Sequence, residues 1–459
     1  MNPDLENVDF LSFTENIGDD GVEVLSGYEF PKLSSLDLSN MELGHKAAES
    51  LSKNKSWKQL RELLLKGNTL EDAGIMKLAD NQSWTGLEIL VLAENKFGCR
   101  GLCALASNSA WPDLLQLHLT SNQIMEEGAE KLAENSSWSN LEMLFLMDNR
   151  LGALGAANLS KNMSWSKLRL LSLSFNGIGD EGAAALATNK SWVNLQTLEL
   201  MGNNISAIGA TKLASNTSWV SLRELDLVQN ELGGDGARGL AANTSWQKLE
   251  TLNLSDTGIT DEGALGLAKN TAWTSLRLLN LQQNAISDEG ASALATNTTW
   301  TDLRILYLAT NAIGDVGAAK LGENMTWTKL EELDLSNNNI GDTGLAKLGQ
   351  NGTWRMLETL ILTGNPFGDD GISGLSKNKT WGNIGIVEFS DIIISGRVCV
   401  EFVMNPFWPK LHSVELPEDD LGSAALTALE ILKTRNVDMF GYSDDTEGEG
   451  GEEADEIDQ

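Results

Sequence analysis

Large apolar residues recur down the chain with a period of 27. In the copy that begins at Trp165 they are Trp165, Leu168, Leu171, Leu173, Ile178, Ala183, Leu186 and Ala187, with mostly polar or small residues between them. Leu171 and Leu173 alternate as a short strand does, whereas Ala183, Leu186 and Ala187 have helical spacing. Each copy therefore predicts one strand, a turn and one helix. Tryptophan marks the register: all 14, from Trp57 to Trp408, stand one full period apart, and Phe30 carries the series one step further back. A period of this size, held without insertion or deletion, predicts a solenoid rather than a set of globular domains.

One copy buries too little to offset the entropy of ordering its own backbone, so stacking on neighbours must supply the rest. Paired strands sit about 4.8 Å apart and packed helices about 8 to 10 Å apart. The stack must bend, giving an α/β horseshoe with a concave parallel β-sheet and convex helices. Residues 1–29 read as an N-terminal cap holding a degenerate copy: Leu11, Phe13, Asn16, Ile17, Gly18 and Gly21 fit the pattern, with one residue missing before Ile17. The array itself runs over 30–434, about 15 copies of the period. In the copy from Trp381, Val398, Cys399, Val400, Phe402 and Val403 replace the small-residue helical pattern. Their β-branched character predicts a strand or irregular segment there. A helix over 422–433 is expected to close the array. Residues 443–459 hold nine acidic side chains and no basic one, so 435–459 is expected to be a disordered acidic tail.

Small and polar positions repeat as strictly as apolar ones. The glycine expected before each helix, as at Gly128, Gly155, Gly182, Gly209 and Gly236, predicts an unusual backbone angle or a close approach of the helix to the strand layer. The asparagine after each strand, as at Asn149, Asn176 and Asn203, is placed to satisfy backbone groups of the neighbouring turn. Met41, Thr257, Ile392 and Asp419 interrupt that column. The tryptophans predict a stacked seam in the core. A second asparagine column, including Asn135 and Asn216, falls in glycosylation sequons. Its spacing is better explained by an asparagine ending each helix in the left-handed cap conformation.

The unit W-x-x-L-x-x-L-x-L-x-x-N-x-I-G-D-x-G-A-x-x-L-A-x-N-x-S resembles the leucine-rich repeat, whose signature is L-x-x-L-x-L-x-x-N. Its second half resembles the ribonuclease-inhibitor-like class and, more closely, the GALA-type repeats of bacterial effector proteins. The tryptophan and the period of 27 depart from both. The resemblance implies a scaffold that binds a partner protein through its concave face, in the manner of an effector, without catalysis. Repeats of this class with an acidic tail also resemble the Ran GTPase-activating protein. That likeness implies an enzyme regulator using a rim arginine, for which Arg100 and Arg150 are the candidates. A purely structural spacer is the third reading.

A net charge of −32 argues against nucleic acid as a ligand, because phosphate binding relies on clustered Lys and Arg. The same field favours a basic partner. Cys99, Cys103 and Cys399 form no disulfide framework, and their odd number fits a reducing interior. Cys99 and Cys103 lie one helical turn apart without a further Cys or His, which favours packed thiols over a metal site. No stretch reads as a signal peptide or membrane span. A cytoplasmic monomer is the default, with export lacking a classical signal as the effector variant.

The residues that vary between copies flank the strand leucines and point into the concave face. In the first half they are apolar: Leu64, Ile89, Val91, Met143, Phe145, Met147, Leu170 and Phe175, with His118 between Val91 and Phe145. In the second half Glu199, Glu224, Asp226, Asp256, Glu331, Glu332 and Asp334, with Tyr307, make an acidic stretch. The open face of a solenoid has no structural need of apolar groups, so a contiguous cluster points to binding. The competing reading is that a wide surface tolerates scattered Met and Phe. The partner so described has an apolar anchor and a basic flank. His118 reads either as a pH-sensitive contact or as a plain surface histidine. His45 and His412 are remote in sequence, no histidine triad or metal set is apparent, and no cofactor is expected.

Overall fold

The computed structural model describes residues 7–390, 392 and 394–415; the helix expected over 422–433, Asp419 and the acidic tail lie outside the described residues. Short strands, from β1 (Phe10–Ser12) to β16 (Ser413–Glu415), form one parallel sheet in chain order. One helix follows each of the first fifteen strands. From β2 (Ser35–Asp37) onward every pairing is offset by one full period, as in Leu63↔Leu90 and Leu144↔Leu171. Equivalent residues of successive copies therefore stand side by side, and columns of the sequence become stripes on the surface.

The first copy differs at one point. Its strand pairs at an offset of 25, Phe10↔Ser35, while α1 (Gly18–Ser26) and α2 (His45–Lys53) start a full period apart. The caps give the helix offset more finely: Asp19 accepts from Gly44 N and Ala47 N across 25 and 28 residues, where Asp72 reaches Gly98 and Gly101 across 26 and 29. The segment joining strand to helix is thus one residue short, as the sequence indicates, and the second missing residue falls after the helix. Val22 and Leu25 of α1 still close the first end of the core.

The core is one continuous column. The middle residue of each strand from β2 onward (leucine, or Val387 and Val414 in the last two), the helix positions equivalent to Ala183 and Leu186, and all the tryptophans are buried. The seam is stacked at Trp84–Trp111 (6.3 Å between centroids, 22° between planes) and Trp354–Trp381 (6.0 Å, 21°), and Phe30 meets Trp57 at a tilt. The indole N–H groups of Trp57 and Trp381 donate to Tyr28 O and Asn351 O at 3.1 Å, whereas twelve others are buried without a partner. The tryptophans therefore contribute by apolar bulk rather than hydrogen bonding, since a buried unpaired donor costs stability.

Two asparagine ladders bind copy to copy. In the strand-end ladder, Asn149 Nδ2 donates to Leu119 O and Leu146 O (both 3.0 Å), and its Oδ1 accepts the Ile124 N–H (3.0 Å). In the helix-end ladder, Asn135 Nδ2 donates to Ala106 O (2.7 Å) and its Oδ1 accepts from the backbone of Ser137 and Trp138 (2.8 and 3.1 Å). Asn135 has φ −69° and ψ 111°. Its backbone is extended, not left-handed, so asparagine is required there for its side chain. The sequon asparagines Asn135 and Asn216 are buried with both ends of the carboxamide engaged.

A third ladder explains the aspartate of the I-G-D turn. Asp288 Oδ1 accepts from Gly314 N and Gly317 N (both 2.7 Å), capping the first turn of the following helix. Asp315 and Asp342 do the same one and two copies on. The repeated glycine lies within the first helical turn and serves close approach: a Cβ on Gly182 would stand 2.8 Å from Ile178 Cβ and 3.1 Å from Ala156 Cβ.

The copy from Trp381 corrects the expectation of a strand. Gly396–Val403 is a helix, α15, with Val398, Cys399, Phe402 and Val403 buried. Those positions have spacings of one, four and five, which is a helical face. Phe402 meets Phe389 and Trp408 edge to face at 5.1 and 5.0 Å. Tertiary burial of that face overrides the weak β preference of its valines.

Candidate functional site on the concave face

Each strand presents its first and third residues, and the residue two beyond it, to the open side of the sheet. In β4 (Ile89–Val91), β5 (Gln116–His118), β6 (Met143–Phe145) and β7 (Leu170–Ser172) the strand's middle leucine is buried and the flanking side chains are mostly half-buried. Ile89, Val91, Met143, Phe145, Met147 and Leu170 are drawn together there, with Leu64 on β3 (Glu62–Leu64) at the margin. His118 and Phe145 are cross-strand partners whose rings stack at 4.1 Å with 17° between planes. His118 Nε2 is 3.3 Å from Gln116 Oε1, and burial pulls the imidazole below its ordinary pKa.

Phe175 adds an independent sign. It occupies a column of turn residues with positive φ that otherwise holds Asn40, Gly67, Glu94, Ser121, Asp148, Gly202, Gln229, Asp256, Gln283, Thr310, Asn337 and Gly364. Phe175 alone among these is apolar and bulky. Its φ is 56° and it remains 37% exposed. A bulky side chain in the left-handed region is disfavoured, and strain of this kind collects at functional sites.

The acidic stretch begins on the next strands. Glu199 of β8 (Thr197–Glu199) is the cross-strand partner of Asp226 of β9 (Glu224–Asp226). Burial first, then the charges of Glu199 and Asp226, push Glu224 above the ordinary carboxylate range, and a hydrogen bond with Thr197 opposes them. Burial and Glu199 likewise raise Asp226, against the Val228 N–H that donates to it. Further along, Tyr307 of β12 (Ile305–Tyr307) is pushed up to about 12 by burial and by Glu332, with which it shares a hydrogen bond, and by Asp334. Asp334 of β13 (Glu332–Asp334) is 8% exposed and accepts from the Ser336 N–H and hydroxyl at 2.9 and 2.7 Å.

Two residues leave this set. Glu331 points to the edge of the sheet and pairs with Arg304, not into the concave face. Asp256 is exposed on the opposite, turn-side rim, with φ 53°, and Phe175, three copies earlier in the same column, stands on that rim too rather than among the concave columns. Glu331 belongs to a ladder of edge ion pairs that the reading of one column at a time missed: Arg61–Glu88, Glu142–Arg169, Arg223–Glu250–Arg277 and Lys329–Asp302. Opposite charges standing one period apart were the available signal. Met201 and Val228, half-buried beside the acidic strands, were also missed and extend the apolar surface along the third concave column.

The remaining candidates lie elsewhere. Arg100 is in helix α4 (Cys99–Ala106) rather than on a rim turn, and Arg150 is exposed in the loop before α6 (Gly152–Leu159). His45 starts α2 and His412 is exposed ahead of β16, so neither approaches His118. Burial raises the Cys103 thiol, and raises that of Cys399 to about 11, which favours the protonated thiol in both. Among the described residues no three His, Cys, Asp or Glu side chains converge as a metal set, and no helix is long and apolar enough to cross a membrane. A groove of about 550 Å³ between α12 (Asp315–Glu323) and α13 (Asp342–Leu348) opens on the convex side, away from the concave columns.

The leucine-rich repeat family profile matches nine stretches, 112–133, 166–187 and then each successive copy to 355–376. The chain is a leucine-rich repeat protein. Its fold is similar to that of a crystallised internalin from Listeria monocytogenes, with 21% identity, a TM-score of 0.54, and coverage of 80% of this chain and 88% of that one. No curated protein matches it in sequence. Leucine-rich repeat proteins of this shape are protein-interaction scaffolds in general, and that architecture leaves the concave columns of this one free to vary.

Proposed function

We propose that this leucine-rich repeat protein binds a partner protein through the concave face, seating an apolar anchor on the surface around Phe145 and a basic flank against Glu199, Glu224 and Asp226. The observation that carries this reading is the half-buried cluster of Ile89, Val91, Met143, Phe145, Met147 and Leu170 on the open side of the sheet, an apolar surface the fold does not need. Phe175, kept in a left-handed position on the turn-side rim, is a second sign. Aromatic and methionine side chains concentrated at one spot are the usual anchors of an interface. The acidic strands next to it supply charge complementarity, which governs encounter and register more than affinity. Tyr307, Glu332 and Asp334 would receive a more distal part of the same partner.

A photo-crosslinking amino acid placed at position 145, and in a separate protein at position 208, tests the reading. Ile208 is 65% exposed on the convex side. The proposal expects a defined adduct from position 145 and none of the same mass from position 208. The same adduct from both positions would contradict it.

A further inference from the structure

We infer that protonation of His118 gates the concave apolar surface, closing it to an apolar anchor as the medium turns acidic. This rests on the reading of that surface as the docking site.

Strands β4 to β7 contribute three concave positions each: two from the strand and one from the residue two beyond it. Among these twelve, His118 is the one ionisable side chain. It sits in the middle of the patch, between Val91 and Phe145, with its ring face against the Phe145 ring. On its own strand it faces Gln116 and Thr120, and the neighbouring strands bring Ile89, Val91, Ala93, Met143, Phe145 and Met147. None of these carries a charge. In the flanking copies the concave charges are Glu62 and Lys66 of the β3 copy, two strands from His118, with Glu62 accepting from Ser35 Oγ and Lys66 pairing with Glu94 of the turn rim, and Glu199 of β8, three strands away. Glu88 with Arg61 and Glu142 with Arg169 pair along the edge, and Asp148 is exposed on a turn. No carboxylate is therefore placed to hold an imidazolium in this patch.

The consequence follows from desolvation. The neutral ring behaves as a flat, largely apolar surface continuous with Phe145. An imidazolium at the same point keeps water around it, and an anchor seated over it would have to strip that water from a charge. Attraction between the cation and the Phe145 face is available with or without a partner, so it does not offset that cost. An anchor thus selects the neutral form. Its affinity should fall about tenfold for each pH unit below the His118 pKa, in proportion to the neutral fraction.

The test uses the full chain and Nile red, an uncharged dye that brightens on apolar surfaces, titrated between pH 7.5 and 4.5 against wild type, H118F, H118Q and F145D. The expected result is dye binding by wild type at pH 7.5, lost with a midpoint below 6.5, the ordinary histidine value. H118F and H118Q should keep it to lower pH, and F145D should lack it throughout. The midpoint should coincide with the His118 titration seen by NMR of histidine-labelled protein. If H118F and H118Q lose the dye in parallel with wild type while F145D never binds it, the gate is wrong and the docking surface stands. If F145D binds dye like wild type, the docking surface itself is wrong and the gate falls with it.

Discussion

The ring of Phe175 lies across Gly202, its counterpart in the next copy, so closely that a Cβ on Gly202 would come within 2.5 Å of it. Both residues have positive φ, 56° and 64°. Glycine at 202 thus accepts the turn and makes room for the ring. Replacing Phe175 by Asn should leave stability within about 1 kcal/mol of wild type, because relief of left-handed strain offsets loss of a partly exposed contact. Gly202→Ala should cost about 1 to 2 kcal/mol by imposing that strain and displacing the ring. Chemical denaturation of both variants checks the pair.

Thr257 interrupts the strand-end asparagine ladder. Its hydroxyl donates to Leu254 O at 2.6 Å, leaving the Leu232 N–H without the side-chain acceptor that Ile205 finds in Asn230 and Ile259 in Asn284. Thr257→Asn should stabilise the array by about 1 kcal/mol by restoring the link. Asn149→Ala should destabilise it by about 3 kcal/mol, because several buried backbone groups lose partners together. Thermal melts of the two variants should move in opposite directions.

Glu224 and Asp226 have folded pKa values raised by burial and by the charge of Glu199, with that of Asp226 acting on Glu224 as well. The folded state therefore binds protons more tightly than the unfolded one. Their stabilising contribution is complete below the unfolded carboxylate pKa and is lost as pH rises through the raised folded values. E224Q should accordingly be more stable than wild type at pH 7, by less than about 1 kcal/mol given its exposure, and equal to it near pH 3. Melting temperatures of both proteins across that range would show the crossover, and a constant difference would refute the coupling.

The sequons predict nothing about carbohydrate once their geometry is known. Asn135 and Asn216 are buried, and each Nδ2 donates to a carbonyl of the preceding copies. A glycan cannot be attached to that nitrogen without breaking the ladder. Protein folded and then exposed to a glycosylating extract should keep its unmodified mass, as intact mass spectrometry would report.

The fold was legible because one signal recurs without slippage: Phe30 and then a tryptophan in each later copy keep every strand from β2 onward in the same register. Asn149 and Leu171 could be assigned roles from position alone. The helix Gly396–Val403 could not, because its valines are placed by burial against Phe389 and Trp408 rather than by their own preference. At the concave face the columns put Met143 and Phe145 on the open side of β6, yet Glu331 was misplaced: it precedes β13 and turns to the edge, where it pairs with Arg304. The stacking of His118 on Phe145 follows from the register, whereas its burial required the neighbouring side chains.

The most direct test of the concave-face account is capture of a crosslinked partner by wild type beside the Met143→Asp, Phe145→Asp double variant, with circular dichroism run on both. Both side chains stand on the open side of β6, half-buried and outside the leucine core. The account predicts equal spectra and a partner retained by wild type alone. Equal retention by the two folded proteins would contradict it and move attention to the acidic strands or the convex helices.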